Sequence, residues 1–160
     1  MQMGIAGQLA PPLREVRWID GSGAARAPVS LGDLGDGYRI LFFFQHWCPG
    51  CHCHGFPTLV KLVAELAKEG VGFAAIQTVF ESSEVNTFER IRDDQERYGL
   101  AIPFGHAAPA GGTALPAPMA DYRTGGTPWF VVIAPDGKVV FDGFQLDSEA
   151  LIKALRLEAA

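Results

Sequence analysis

The stretch Arg39-Ile40-Leu41-Phe42-Phe43-Phe44-Gln45-His46-Trp47-Cys48-Pro49-Gly50-Cys51 carries the reading on which the fold turns. Its apolar run is continuous rather than alternating, which predicts a strand buried on both faces. Beyond Cys51 the period changes. Leu59, Leu62, Val63 and Leu66 recur at helical spacing, with Lys61, Glu65 and Lys68 on the outer surface and Gly70 as a stop. Cys48 and Cys51 therefore stand where a buried strand hands over to a helix. The first turn of a helix leaves N–H groups unpaired and carries the positive end of the helix dipole. A thiolate at Cys48 is stabilised there, so its pKa falls below that of a free thiol. The two-residue spacer Pro49-Gly50 puts both sulfurs within one turn, in reach of a disulfide. On this reading Cys48 is the exposed attacker and Cys51 the more buried thiol that resolves a mixed disulfide.

Working outward, the remaining chain supplies more strands and helices. Leu13–Ile19 alternates loosely as a strand, followed by a turn at Asp20–Gly23 and a short helical turn capped by Ser30. Val71–Val79 reads as a second strand of the buried kind. A helix capped by Ser82 or Ser83 follows, with Val85, Phe88 and Ile91 inward and Glu89, Arg90, Arg92, Asp93, Asp94, Glu96 and Arg97 on a solvated face. Ala101–Gly105 is a short strand, His106–Pro118 an irregular loop, and Met119–Arg123 a short helix. Trp129–Ala134, the turn Pro135-Asp136-Gly137 and Lys138–Asp142 form a hairpin. Ser148–Ala159 is a terminal helix with Leu151, Ile152 and Leu155 inward. Strands alternating with helices and ending in a hairpin imply an α/β fold with a central mixed β-sheet flanked by helices on both faces.

Size and composition bound the function. A chain of 160 residues suits one domain spanning 1–160, and 48% hydrophobic with 19% charged residues is ordinary for a globular protein. A net charge of −5 without a Lys/Arg cluster excludes nucleic acid as an expected partner. The run Ile40–Phe44 is far too short to span a membrane. The start, Met1–Gly7, has neither positive charge nor an apolar stretch of signal length, so the expected location is cytoplasmic, or periplasmic where an export signal has been trimmed. Three cysteines are too few, and odd in number, for a disulfide scaffold. All three (Cys48, Cys51, Cys53) are crowded together, which points to chemistry or metal binding. A zinc knuckle requires a second ligand pair, and only His106 lies at a distance.

The motif Trp47-Cys48-Pro49-Gly50-Cys51 after an apolar strand resembles the active site of the thioredoxin superfamily. Gly126-Thr127-Pro128 resembles that family's cis-proline loop, and Trp129–Val140 is similar to the hairpin of the TlpA/ResA-type subgroup, with Leu13–Leu34 and Ser82–Gly99 matching its N-terminal extension and helical insert. The resemblance implies a thioredoxin-like domain that exchanges disulfides with protein or small-thiol partners and with a reductant or oxidant. Cys48 and Cys51 would be its catalytic pair, Thr127 and Pro128 would shape the substrate groove, and Trp47 would shield one side. No cofactor is implied, because the electrons travel in the thiols; a monomer is expected.

Three departures bear on mechanism. Phe42 stands where many thioredoxins carry a buried Asp, and His54 stands where the subgroup often has Glu. An imidazole that titrates near neutrality is a candidate base, as is that of His46; His52 also flanks the pair. Pro57 falls six residues after Cys51, one more than the family spacing, which predicts a local helical bulge that re-aims Cys53 or His54. Cys53 itself is either a regulatory thiol or an inert helix residue. Two rival functions follow from the same residues. His46, Cys48, Cys51, His52, Cys53 and His54 suit copper(I) or zinc. A peroxidase of the peroxiredoxin type would place Thr where Gln45 stands.

Overall fold

The computed structural model describes residues 2–112 and 114–160; Met1, in the expected N-terminal stretch, and Thr113, in the expected loop, lie outside the described residues. Among the described residues seven strands form one mixed sheet: β1 (Arg17–Ile19), β2 (Ala25–Arg26), β3 (Arg39–Phe44), β4 (Gly72–Thr78), β5 (Phe104–Ala107), β6 (Trp129–Ile133) and β7 (Val139–Gly143), in the order β2-β1-β5-β4-β3-β6-β7. β3 pairs parallel with β4 and antiparallel with β6, and so occupies the interior of the sheet. The helices are α1 (Phe56–Leu66), α2 (Phe88–Arg97), α3 (Ala117–Asp121) and α4 (Ser148–Ala159).

The unbroken apolar run of β3 is explained by what covers it. Ile40, Phe42 and Phe44 point to a core shared with Phe56, Leu59 and Leu62 of α1, Ile91 of α2 and Ile152 and Leu155 of α4. Leu41 and Phe43 point the other way, to Ile5, Leu13, Trp18 and Val29 of the N-terminal part and Tyr122 just beyond α3. Both faces exclude water along Ile40–Phe44, and Arg39 at the start of β3 is itself buried, its guanidinium donating to the Ala134 carbonyl. Among the described residues, no helix is long and apolar enough to cross a membrane.

Several expected boundaries move. The first strand shrinks to Arg17–Ile19, because Glu15 takes a positive φ of 58° that ends any extended run before it. α2 begins at Phe88 behind Thr87, not at Ser82 or Ser83, since the segment 80–87 is drawn into hydrogen bonds with Gln45, just beyond β3, and with Gln77 of β4. The short strand expected at Ala101–Gly105 runs instead over Phe104–Ala107, where pairing with both β4 and β1 takes His106 out of the expected loop. The short helix starts two residues earlier than expected, at Ala117.

Candidate functional site

The chain leaves β3 at Gln45 and turns into the first helix at Cys48. Cys48 and Cys51 are joined by a disulfide with Cα atoms 5.2 Å apart. Cys48 keeps 8% of its surface exposed and Cys51 none, so the expected order of accessibility holds although Cys48 is far less open than an exposed attacker. The backbone N–H of Cys51 donates to Cys48 Sγ at 3.2 Å, and the Thr127 hydroxyl donates to the same sulfur at 3.6 Å. Two donors aimed at one sulfur stabilise negative charge on it. The Thr127–Pro128 peptide bond is cis.

The helix after Cys48 starts irregularly. Residues Cys51–Gly55 form a π-helical turn, with the Phe56 N–H reaching back to the Cys51 carbonyl, before α1 proper begins. The bulge expected from the late Pro57 is there. It leaves Cys53 exposed and free, and His54 exposed, while His52 turns inward. Gly55 sits at the narrowest point: a Cβ there would lie 2.7 Å from Phe42 Cζ and 3.0 Å from Pro128 Cβ. Beside it His54, Thr58, Phe130, Phe144 and Leu146 line an open groove of about 360 Å³. Trp47 (57% exposed) and Phe144 (41% exposed) leave large apolar surfaces in solvent.

Behind the cysteines lies a buried polar network that the sequence reading did not anticipate. Gln45, Gln77, Asn86 and Asp94 are all buried. Gln45 Oε1 accepts from the Phe80 N–H and from Asn86 Nδ2. Gln77 Oε1 accepts from the His46 N–H at 2.7 Å, while its amide donates to the Thr87 carbonyl and to His106 Nδ1. Asn86 Oδ1 accepts from the Trp47 N–H at 2.7 Å. The backbone N–H groups of His46 and Trp47, on the approach to Cys48, thus have side-chain partners, as buried groups require.

Asp94, expected on the solvated face of α2, is 1% exposed and its two oxygens lie 3.0 and 3.1 Å from His46 Nδ1. The correction has a simple geometric origin: Asp94 and Gln95 follow Ile91 by three and four residues, so they share the inward stripe of α2. Burial pushes the Asp94 carboxyl above its ordinary value of 3.8, against the opposing pull of His46. His52 Nε2 meets the His46 carbonyl at 2.6 Å and its Nδ1 meets the Tyr98 hydroxyl at 2.6 Å. Its ring stacks on Phe56 and Tyr98. Burial also depresses the pKa of His106. Among the described residues His46, His52 and Asp94 bring ligand atoms within 4.8 Å of one another, a set able to hold a metal ion that includes no cysteine sulfur.

No protein-family model matches the chain, and no curated protein matches it either. Solved structures do. The chain is similar to a thioredoxin-like superfamily protein at 30% identity and TM-score 0.80, covering 94% of each chain. It is similar to a thiol-disulfide isomerase from Corynebacterium glutamicum at 28% identity and TM-score 0.76, over 94% of this chain and 95% of that one. A thio-disulfide isomerase from Thermus thermophilus shares the fold at 24% identity and TM-score 0.63, covering 100% of this chain and 99% of its own. With the mixed sheet, the Cys48–Cys51 disulfide at the head of a helix and near-complete coverage at 30% identity, the chain belongs to the thioredoxin-like superfamily.

Proposed function

We propose that residues 1–160 act as one thioredoxin-like unit, an oxidoreductase on sulfur groups that passes two electrons between Cys48–Cys51 and a disulfide or dithiol of a protein or small-thiol partner. The observation that carries this is the disulfide itself, closed across one helical turn with only its first cysteine keeping any surface in solvent. Cys48 attacks: it is the less buried of the two, and its sulfur has the two hydrogen-bond donors that favour its thiolate. Cys51, fully buried beneath it, resolves the mixed disulfide. Pro49 and Gly50 hold the two sulfurs one turn apart. Thr127 and cis-Pro128 form one wall of the substrate site, and Trp47 the other. An extended partner segment would run from these toward the groove lined by His54 and Phe144. His46 and His54 stand as supporting groups, and the exchange draws its electrons from the thiols alone.

The peroxidase reading finds less support, because Gln45, at the position that family gives to Thr, is fully buried and engaged with the segment 80–86. The test is reduction of glutathione disulfide or insulin by dithiothreitol with catalytic amounts of protein. Acceleration that disappears in Cys48→Ser supports the assignment; no acceleration by the wild-type protein overturns it.

A further inference from the structure

Disulfide exchange gives no task to Asp94. Its carboxyl group is 1% exposed, and among the described residues both of its oxygens face His46 Nδ1 and neither meets a lysine or arginine. A carboxylate taken out of water needs a paired charge or a metal ion to replace its hydration, and a neutral imidazole is a weak substitute.

A second imidazole stands beside this pair. His52, on the π-helical turn, places Nε2 against the His46 carbonyl at 2.6 Å. A carbonyl only accepts, so in the neutral ring Nε2 carries the proton and the lone pair lies on Nδ1. Metal-bound histidines are held in this way, one nitrogen donating to a backbone carbonyl and the other facing the ion. The ring also stacks on Phe56 and Tyr98, which fixes its plane.

His46, His52 and Asp94 each offer a ligand atom within 4.8 Å of the other two. Donors on one tetrahedral zinc, with bonds of about 2.0–2.1 Å, sit about 3.3 Å apart. The His46–Asp94 pair has that spacing, at 3.0 Å, and no pair has to close by more than about 1.5 Å. Two imidazoles and one carboxylate suit zinc(II); copper(I) favours thiolates, and calcium and magnesium favour oxygen cages.

We propose that His46, His52 and Asp94 form a zinc(II) site with its fourth position open to water. The ligand atoms are Nδ1 of each histidine and a carboxylate oxygen of Asp94. Loading exchanges the proton between His46 Nδ1 and Asp94 for the ion, the neutral ring keeping its proton on Nε2, and turns the Tyr98 hydroxyl away from His52 Nδ1. Arg97 opposes the ion from 3.5 Å off His52 Nδ1, but its side chain is exposed and long enough to swing into solvent. The site ties together the exit turn of β3, the π-helical turn and α2. It is independent of the exchange reading, because zinc(II) is redox-inert and no cysteine is a ligand.

The test uses the full chain in its disulfide form with Cys53 alkylated, so that no thiolate is offered. Titration calorimetry with zinc chloride should saturate at one ion per chain, and zinc should raise the thermal midpoint, as an ion that binds the folded state does. Cobalt(II) should give d–d absorption without a thiolate charge-transfer band. In NMR of the wild-type chain the ring signals of His46 and His52 should move on zinc addition while those of His54 and His106 stay, a readout that needs no variant. Asp94→Asn and His52→Gln should each weaken zinc binding about a hundredfold or more, the upper end of what loss of a supporting partner costs. His54→Gln should leave the affinity unchanged. No binding by the alkylated disulfide form, binding that appears only once the cysteines are reduced, or ring shifts that spare His46 and His52 would overturn the site, and each would leave the insulin-reduction result untouched.

Discussion

Cys48 and Cys51 differ in the surroundings that decide their roles: the first keeps 8% of its surface in solvent and its sulfur accepts hydrogen bonds, while the second is fully buried. Cys48→Ser should therefore abolish turnover, whereas Cys51→Ser should accumulate partner–Cys48 mixed disulfides, detectable by mass spectrometry under non-reducing conditions. Asp94 supplies a second residue-level expectation. Its carboxyl is raised by burial, so the folded state holds that proton more tightly than the unfolded chain. The group's contribution is complete below its ordinary pKa of 3.8 and is lost as pH climbs through the raised folded-state value. Urea unfolding of wild type and Asp94→Asn across pH 3 to 7 should show the Asn variant gaining relative stability as pH rises through that window; a difference independent of pH contradicts it. The two cysteines were legible in sequence because spacing and position say what they do. Asp94 was not, because its neighbours Asp93, Glu96 and Arg97 are exposed and the charged run hides one inward residue.

At the scale of elements, the sheet's centre and the first helix were legible because both periods are clean: a continuous apolar run for β3, and Leu59, Leu62 and Leu66 for α1. The bulge was legible from a single number, the distance from Cys51 to Pro57. What the sequence could not display is why Gly55 must be glycine. The reason is contact with Phe42 and Pro128, which are remote in the chain. Gly55→Ala forces the buried Phe42 ring aside and should cost about 1–3 kcal/mol as overpacking does, lowering the thermal midpoint in calorimetry. A midpoint at or above wild type contradicts the packing described. The polar residues Gln77 and Asn86 were illegible for a related reason. Their partners are backbone N–H groups of His46 and Trp47, and backbone groups carry no sequence signature.

For the whole molecule, the core that surrounds β3 is built from both faces of the sheet and does not depend on the disulfide. That bridge closes a separation of only three residues. Chain-entropy reasoning assigns so short a loop about 2 kcal/mol. The reduced protein should accordingly stay folded, with an unchanged far-ultraviolet circular dichroism spectrum and an unfolding free energy within roughly that amount of the oxidised form. Loss of the fold on reduction would contradict this. A protein that keeps its architecture in both redox states is what a reversible electron carrier requires, and that reversibility is the central claim. The most direct measurement is equilibration in glutathione buffers of graded potential, followed by counting alkylated thiols by mass. Cys53 is free in the disulfide form, so the account expects a reversible two-electron passage from one modified cysteine to three. A count that stays at one or three at every potential, or a bridge that forms with Cys53 in place of Cys51, would contradict it.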